Sequence, residues 1–264
     1  MLANLDGIES LLRWAGKVAK ERQAEVGFSL KEDGSPVTPV DVYLSDKITS
    51  YLKDNYPECN IISEETETGS WDPDAPFTFL LDPIDGTASY TQGFPAWCVA
   101  LGILDKERQP VAGYIYAPRF GRGVDELFLR TDPGCDDVYL NGEKLCKVHG
   151  KDEPKMITTG SIILRQLDLS LTRCKFRSFG TSLLHIASAA VFRSVDACID
   201  PTCYVWDIAP AHAIVKRLGM DYQYFTGESF SYTDELLIER RKFPVPLVVG
   251  TEKGRAVLIE RLKG

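Results

Sequence analysis

The chain has 264 residues, 44% of them hydrophobic and 26% charged, and a formal net charge of −8. That length can bury a sizeable core, and that balance excludes an intrinsically disordered chain. The acidic charge is spread along the sequence without blocks of like sign, so neither a nucleic acid nor an anionic membrane surface is expected as a partner.

Seven cysteines at irregular spacing, with no C-x-x-C pair and no Asn-x-Ser/Thr acceptor, predict reduced thiols in a cytoplasmic protein. The first residues lack the basic and apolar blocks of a signal peptide, and no run of about 18 apolar residues follows. Ile8, Leu11, Leu12, Ala15, Val18 and Ala19 recur at helical spacing and predict an amphipathic helix that stops by Gly27. After the turn-rich KEDGSPVTPVD, Thr38-x-x-Asp41 reads as a capping box with Pro39 in the first turn; Leu44, Ile48 and Leu52 form the buried stripe of that helix. CNII predicts a short buried strand running into Glu64 and Glu65, and FTFLL a second one running into DPIDG.

Residues 99–104, 111–116 and 126–129 read as strands of an antiparallel meander. Further on, 181–192 predicts a small-residue helix, VDACI a strand, WDIAPAHAIVKRLG a helix closed by Gly219, VPLVVG a strand, and the residues after Thr251 a final helix. This alternation predicts a second sheet with helices on its faces. With no repeat and no loose linker, 1–264 reads as a single unit, with an α+β part to about 150 and an α/β part from about 151.

Asp82 and Asp85 pose the chemical problem. Pro83 fixes φ and interrupts a strand ladder, and Gly86 permits a positive φ, so the chain is expected to turn sharply there with both carboxylates in one cavity. Two carboxylates ~4 Å apart repel by about 4 kcal/mol at an effective dielectric of ~20. A cation or a proton must relieve this. Asp near Pro and Gly is also common in turns, and Asp207, after Trp206, suits a helix N-cap. Yet Asp41, Glu64, Glu65 and Asp207 also stand at element ends, where α/β folds gather their sites.

Hard oxygen donors without histidine partners suit Mg2+, which shares its shell with water and phosphate. His149, His185 and His212 have no metal-ligand spacing from one another, and the latter two lie in predicted helices. Gly86 and Thr87 offer amides that can hold a phosphate beside the metal, although Thr87 also suits N-capping. The strand-ending Asp-x-Asp-x-Thr of haloacid-dehalogenase phosphatases is out of phase with Asp82 and Asp85, which excludes an aspartyl-phosphate route.

In order along the chain, Lys31 with SPVTPVD, SEE, DPIDGT followed by SY and GFP, GTS at 180–182, and WDIA resemble the inositol monophosphatase family of lithium-sensitive, Mg2+-dependent phosphatases. The resemblance implies a layered αβαβα sandwich, two or three Mg2+ ions and a cytoplasmic homodimer. It implies metal ligation by Glu64, Asp82, the Ile84 carbonyl, Asp85 and Asp207, with Glu65 auxiliary. By the same carry-over Asp41 and Thr87 orient the attacking water, Glu64 acts with them, Gly86 and Thr87 hold phosphate, and Lys31 lies near the weakest metal. Ser182 is carried over as a substrate contact.

The substrate expectation is inositol phosphate or a similar polyol phosphate. Ala88-Ser89-Tyr90 after DPIDGT resembles the inositol branch, and Asp200, seven residues before Asp207, sits where that branch places an acid for sugar hydroxyls. SPVTPVD, GFPAW and YAPRFGR also resemble histidinol-phosphate phosphatases or bisphosphate nucleotidases, and fructose-1,6-bisphosphatase is a further alternative. Pro210 departs from the small residue usual after WDIA. A non-catalytic regulatory protein would have no reason to keep mutually repelling acids.

Overall fold

The computed structural model describes residues 5–67, 69–121, 123, 126–145 and 152–263. The part boundary expected near 150 lies outside the described residues. Helix α1 (Asp6–Arg22) buries Ile8, Leu12, Ala15 and Ala19, and a hairpin of β1 (Ser29–Leu30) and β2 (Pro36–Val37) leads to α2 (Pro39–Asn55). The Thr38 capping box is formed: its hydroxyl accepts from the Val40 and Asp41 amides, while Asp41 Oδ2 accepts from the Thr38 amide at 3.0 Å. Leu44, Ile48 and Leu52 are fully buried, a face worth roughly 1.5–3 kcal/mol per side chain.

β3 (Asn60–Ser63) runs parallel to β4 (Phe77–Asp85); after the short α3 (Thr87–Thr91), β5 (Cys98–Asp105), β6 (Pro110–Ala117), β7 (Leu127–Thr131), β8 (Tyr139–Leu140) and β9 (Glu143–Lys144) continue the sheet antiparallel in sequence order. The second sheet has the order β11 (Lys175–Arg177), β10 (Met156–Thr159), β12 (Ala197–Asp200), β14 (Leu247–Gly250), β13 (Asp221–Tyr224), and mixes parallel and antiparallel pairs. α4 (Ser182–Val191) and α5 (Ala209–Arg217) lie between the two sheets, α6 (Asp234–Leu237) is a single turn, and α7 (Glu252–Lys263) covers the far side.

The side chains sort into layers. Phe79 and Leu81 of β4 pack with α1 and α2, whereas Leu80 between them packs with α4, α5 and the near face of the second sheet. On the far face of that sheet Ile157, Ile199 and Val248 meet Leu258 and Leu262 of α7. The layer order is αβαβα, as expected. Among the described residues no helix is long and apolar enough to cross a membrane.

β4 differs from its predicted form. The strand does not stop at Pro83; it continues to Asp85, with Asp82 opposite Ala100 and Asp85 opposite Cys98. Three steps on β4 thus face two on β5, a bulge that tolerates the missing Pro83 amide. Leu81 and Ile84, three apart, consequently both enter the α1/α2 core. Asp82 and Asp85 therefore share the opposite side, and the sharp turn comes only at Gly86, where φ is +90°.

Two glycines set how close α5 comes. A Cβ on Gly102 would lie 2.7 Å from the Pro210 nitrogen, and one on Gly113 2.0 Å from the Pro210 carbonyl oxygen. Pro210 occupies the first turn of α5, where no amide donor is missed. The helix start, and the turn before it, therefore rest directly on β5 and β6.

Candidate active site

Glu64 follows β3, Asp82 lies on the bulged β4, and Asp207 ends a 3-10 turn (Val205–Asp207) between β12 and α5. Oxygens of these three lie within 4.8 Å of one another. Asp207 is not the N-cap of α5, which is Ile208; its Oδ2 instead accepts from the Tyr204 amide at 2.7 Å. Both oxygens of Asp82 are buried without a hydrogen-bond partner. Burial raises the Asp82 pKa well above the carboxylate range, and the charges of Glu64, Asp85 and Asp207 raise it further. Asp207 is raised in the same way, by burial and then by Glu64 and Asp85.

Asp85 sits beside this cluster. Its Oδ2 accepts from Thr181 Oγ1 at 2.5 Å and from the Leu183 amide at 2.8 Å, and burial outweighs both bonds to raise its pKa to about 7. Thr181 also caps α4 through the Leu184 amide, so one side chain fixes the helix and the acid together. Sequence reasoning named Ser182 in this motif and missed Thr181. The signal was present, since Thr181 is the residue before a helical run.

Lys31 Nζ donates to Glu64 Oε1 at 2.6 Å and Glu65 Oε1 at 2.5 Å. Burial opposes its charge, but the two carboxylates hold its pKa above the usual lysine value. Glu65 is raised to about 7 by burial and by Glu64. Asp41 Oδ1 accepts from Thr87 Oγ1 at 3.1 Å, and the same hydroxyl lies 3.0 Å from the Ile84 carbonyl. Burial raises Asp41 to about 6 against the opposing Thr38 bonds. Thr87 makes no side-chain cap of α3, whose N-cap is Gly86.

A cavity of about 620 Å³ opens beside Asp85 and Asp207, with Ser89, Phe94, Ser161, Ser182 and His185 among its lining residues. No lysine or arginine lines it among the described residues. Asp200 does not line it; the next residue, Pro201, does. The Asp200 carboxylate is fully buried, 3.7 Å from His185 Nδ1 and 3.5 Å from the Cys203 thiol that donates to it. His185 Nε2 accepts from the Phe179 amide, and His212 bonds Asp221 and Tyr232, so neither is arranged as a metal ligand.

The donor set fits a hard divalent cation: oxygens only, converging, with Asp82 unpaired in the interior. A cation there would be compensated by the acids, whereas without one the fold must bury either like charges or extra protons.

A family model described as "Inositol monophosphatase family" matches residues 5–253. Inositol monophosphatase 1 of Solanum lycopersicum is 29% identical over 217 residues, covering 75% of this chain and 76% of its own. The 3'(2'),5'-bisphosphate nucleotidase CysQ of Buchnera aphidicola is 27% identical over 241 residues, 87% of each. Staphylococcal inositol monophosphatase-1, solved as a LiCl-soaked inhibitory complex, superposes with a TM-score of 0.81 at 20% identity, covering 100% of this chain and 96% of that one. With almost its whole length matched by the family model and its layers shared with a solved relative, the chain belongs to the inositol monophosphatase family.

Proposed function

We propose that this phosphatase hydrolyses the monophosphate of inositol or a similar polyol with two or three Mg2+ ions. The observation that carries this reading is the convergence of Glu64, Asp82 and Asp207 around buried, unpaired Asp82 oxygens, beside a cavity that no lysine or arginine lines among the described residues. A second phosphate dianion in that cavity would meet no cationic side chain among the described residues, which favours a monoester over a bisphosphate.

Glu64, Asp82, the Ile84 carbonyl, Asp85 and Asp207 would hold the ions, with Glu65 auxiliary and exchanging its bond to Lys31. Mg2+ bound there would supply positive charge to offset the phosphate and the developing charge on the leaving group, and would make the attacking water more acidic. Asp41 and Thr87 orient the attacking water, and Asp41, with Glu64 nearby, receives its proton. The amides of Gly86 and Thr87 hold the phosphate. The water oxygen bonds to phosphorus, the ester P–O bond breaks in line, and the alcohol leaves as it takes up a proton. Ser161, Ser182 and His185 face the alcohol, and Asp200 acts from behind them.

The chain works in this reading as one unit, because its site takes ligands from both parts, and in a cytoplasmic homodimer. The free thiols of the described cysteines support the compartment, and the resemblance supports the dimer. The test is phosphate release with Mg2+, with and without Li+, from inositol 1-phosphate, histidinol phosphate, adenosine 3',5'-bisphosphate and fructose 1,6-bisphosphate. The expected result is the highest kcat/KM on inositol 1-phosphate, suppressed by Li+; a preference for either bisphosphate overturns the substrate reading.

A further inference from the structure

We propose that Arg240 is a positioning residue that fixes the two metal-ligating segments against each other; this rests on the metal reading above. Its Nη2 donates to the Ser63 carbonyl at 2.5 Å and to the Glu64 carbonyl at 3.1 Å, so it grips the chain where β3 delivers Glu64. The same guanidinium lies 4.9 Å from the centroid of Trp206, the neighbour of Asp207. Trp206 stacks on Tyr204 at 4.6 Å and 14°, and the Tyr204 amide binds Asp207 Oδ2. One planar cation therefore touches both the strand end and the turn whose carboxylates must converge. A guanidinium suits this double duty, donating in its plane while its face lies on an aromatic ring.

Arg240 is itself held. It follows α6, whose Leu236 and Leu237 are buried, and the Arg241 amide returns to the Glu235 carbonyl. Two residues on, Lys242 pairs with Asp33 at 3.0 Å and lies 5.0 Å from the Tyr204 ring centroid, and the Phe243 amide donates to the Cys203 carbonyl. Arg240 also has a left-handed backbone (φ 54°), which a residue with a side chain keeps only when its surroundings hold it. Residues 240–243 thus tie the end of β3, the Asp33 turn and the 203–206 segment together.

The consequence is a metal affinity that depends on a residue touching no metal. Groups that orient ligands typically contribute about 10- to 100-fold to affinity. Isothermal titration calorimetry of the full chain with Mg2+ should show the dissociation constant of Arg240→Ala raised roughly tenfold or more, and that of Arg240→Lys raised less. Millimolar guanidinium should restore tighter binding to Arg240→Ala and leave wild type unchanged, and at saturating Mg2+ the KM for inositol 1-phosphate should stay close to wild type. If Arg240→Ala fails to fold, Arg240→Lys decides. A folded Arg240 variant with wild-type Mg2+ affinity overturns the positioning role, as does weakened binding that guanidinium does not restore. Wild-type protein that takes up no Mg2+ overturns the metal reading itself, and this inference with it.

Discussion

Asp41 shows how a local cap becomes a chemical group. Its Oδ2 completes the capping box of α2, which orients the side chain, and leaves Oδ1 for Thr87. Burial then raises its pKa to about 6, so it is ionised at neutral pH and still a better proton acceptor than an exposed aspartate. Asp41→Asn keeps the shape and removes the proposed base. It is expected to lower kcat by about 100- to 10,000-fold, the usual range for a general base, with KM close to unchanged. Since the proposed base must be ionised to act, wild-type kcat should rise with pH along an acid limb whose apparent pKa is about 6 or lower, a bound cation favouring the charged form. Phosphate release by both proteins across pH 5 to 9 checks this, and turnover of Asp41→Asn equal to wild type would exclude the role.

At the scale of elements, the site depends on how near α5 approaches the first sheet. Gly113 lies under the Pro210 carbonyl, which as helix backbone cannot turn aside. Gly113→Ala should therefore push the start of α5, and the Asp207 turn with it, away from β6. The expected outcome is a loss of about 1–3 kcal/mol in denaturant unfolding together with weaker Mg2+ uptake, whereas Gly27→Ala, whose Cβ meets nothing within 4 Å, changes neither. Unaltered Mg2+ uptake in Gly113→Ala would separate the close approach from the site. Sequence alone placed α1, α2, α4, α5 and the meander, because each has a cap or a strong apolar period. It did not place β10, β11 or β13, which are short and carry weak patterns such as KFR and DYQY. The bulge after Asp82 was equally hidden, since a bulge is a property of pairing with β5 and not of β4. The acids were legible because they cluster at element ends; Arg240, whose contacts span 176 and 177 residues, left no local mark.

For the whole molecule the central physical fact is that the fold gathers carboxylates that water would keep apart. Asp41, Glu65, Asp82, Asp85 and Asp207 are all raised, so each binds its proton more tightly folded than unfolded. Their contribution to stability is fully present below the unfolded carboxylate range near 4 and is lost as pH rises to about 7 and above. Asp221, lowered to about 2 with His212 among its causes after the opposing burial, works in the reverse direction and is lost only in stronger acid. Metal-free protein should therefore be more stable at pH 5 than at pH 7.5. Mg2+ held as proposed would compete with protons for the same oxygens, and at about 100 times its Kd would add ~2.7 kcal/mol per site. The most direct measurement is the thermal unfolding midpoint at pH 5 and pH 7.5, each with and without Mg2+. The prediction is a metal-free midpoint that falls with pH and a large Mg2+-induced rise at pH 7.5 that nearly vanishes at pH 5; a midpoint that Mg2+ leaves unmoved at pH 7.5 would contradict the account.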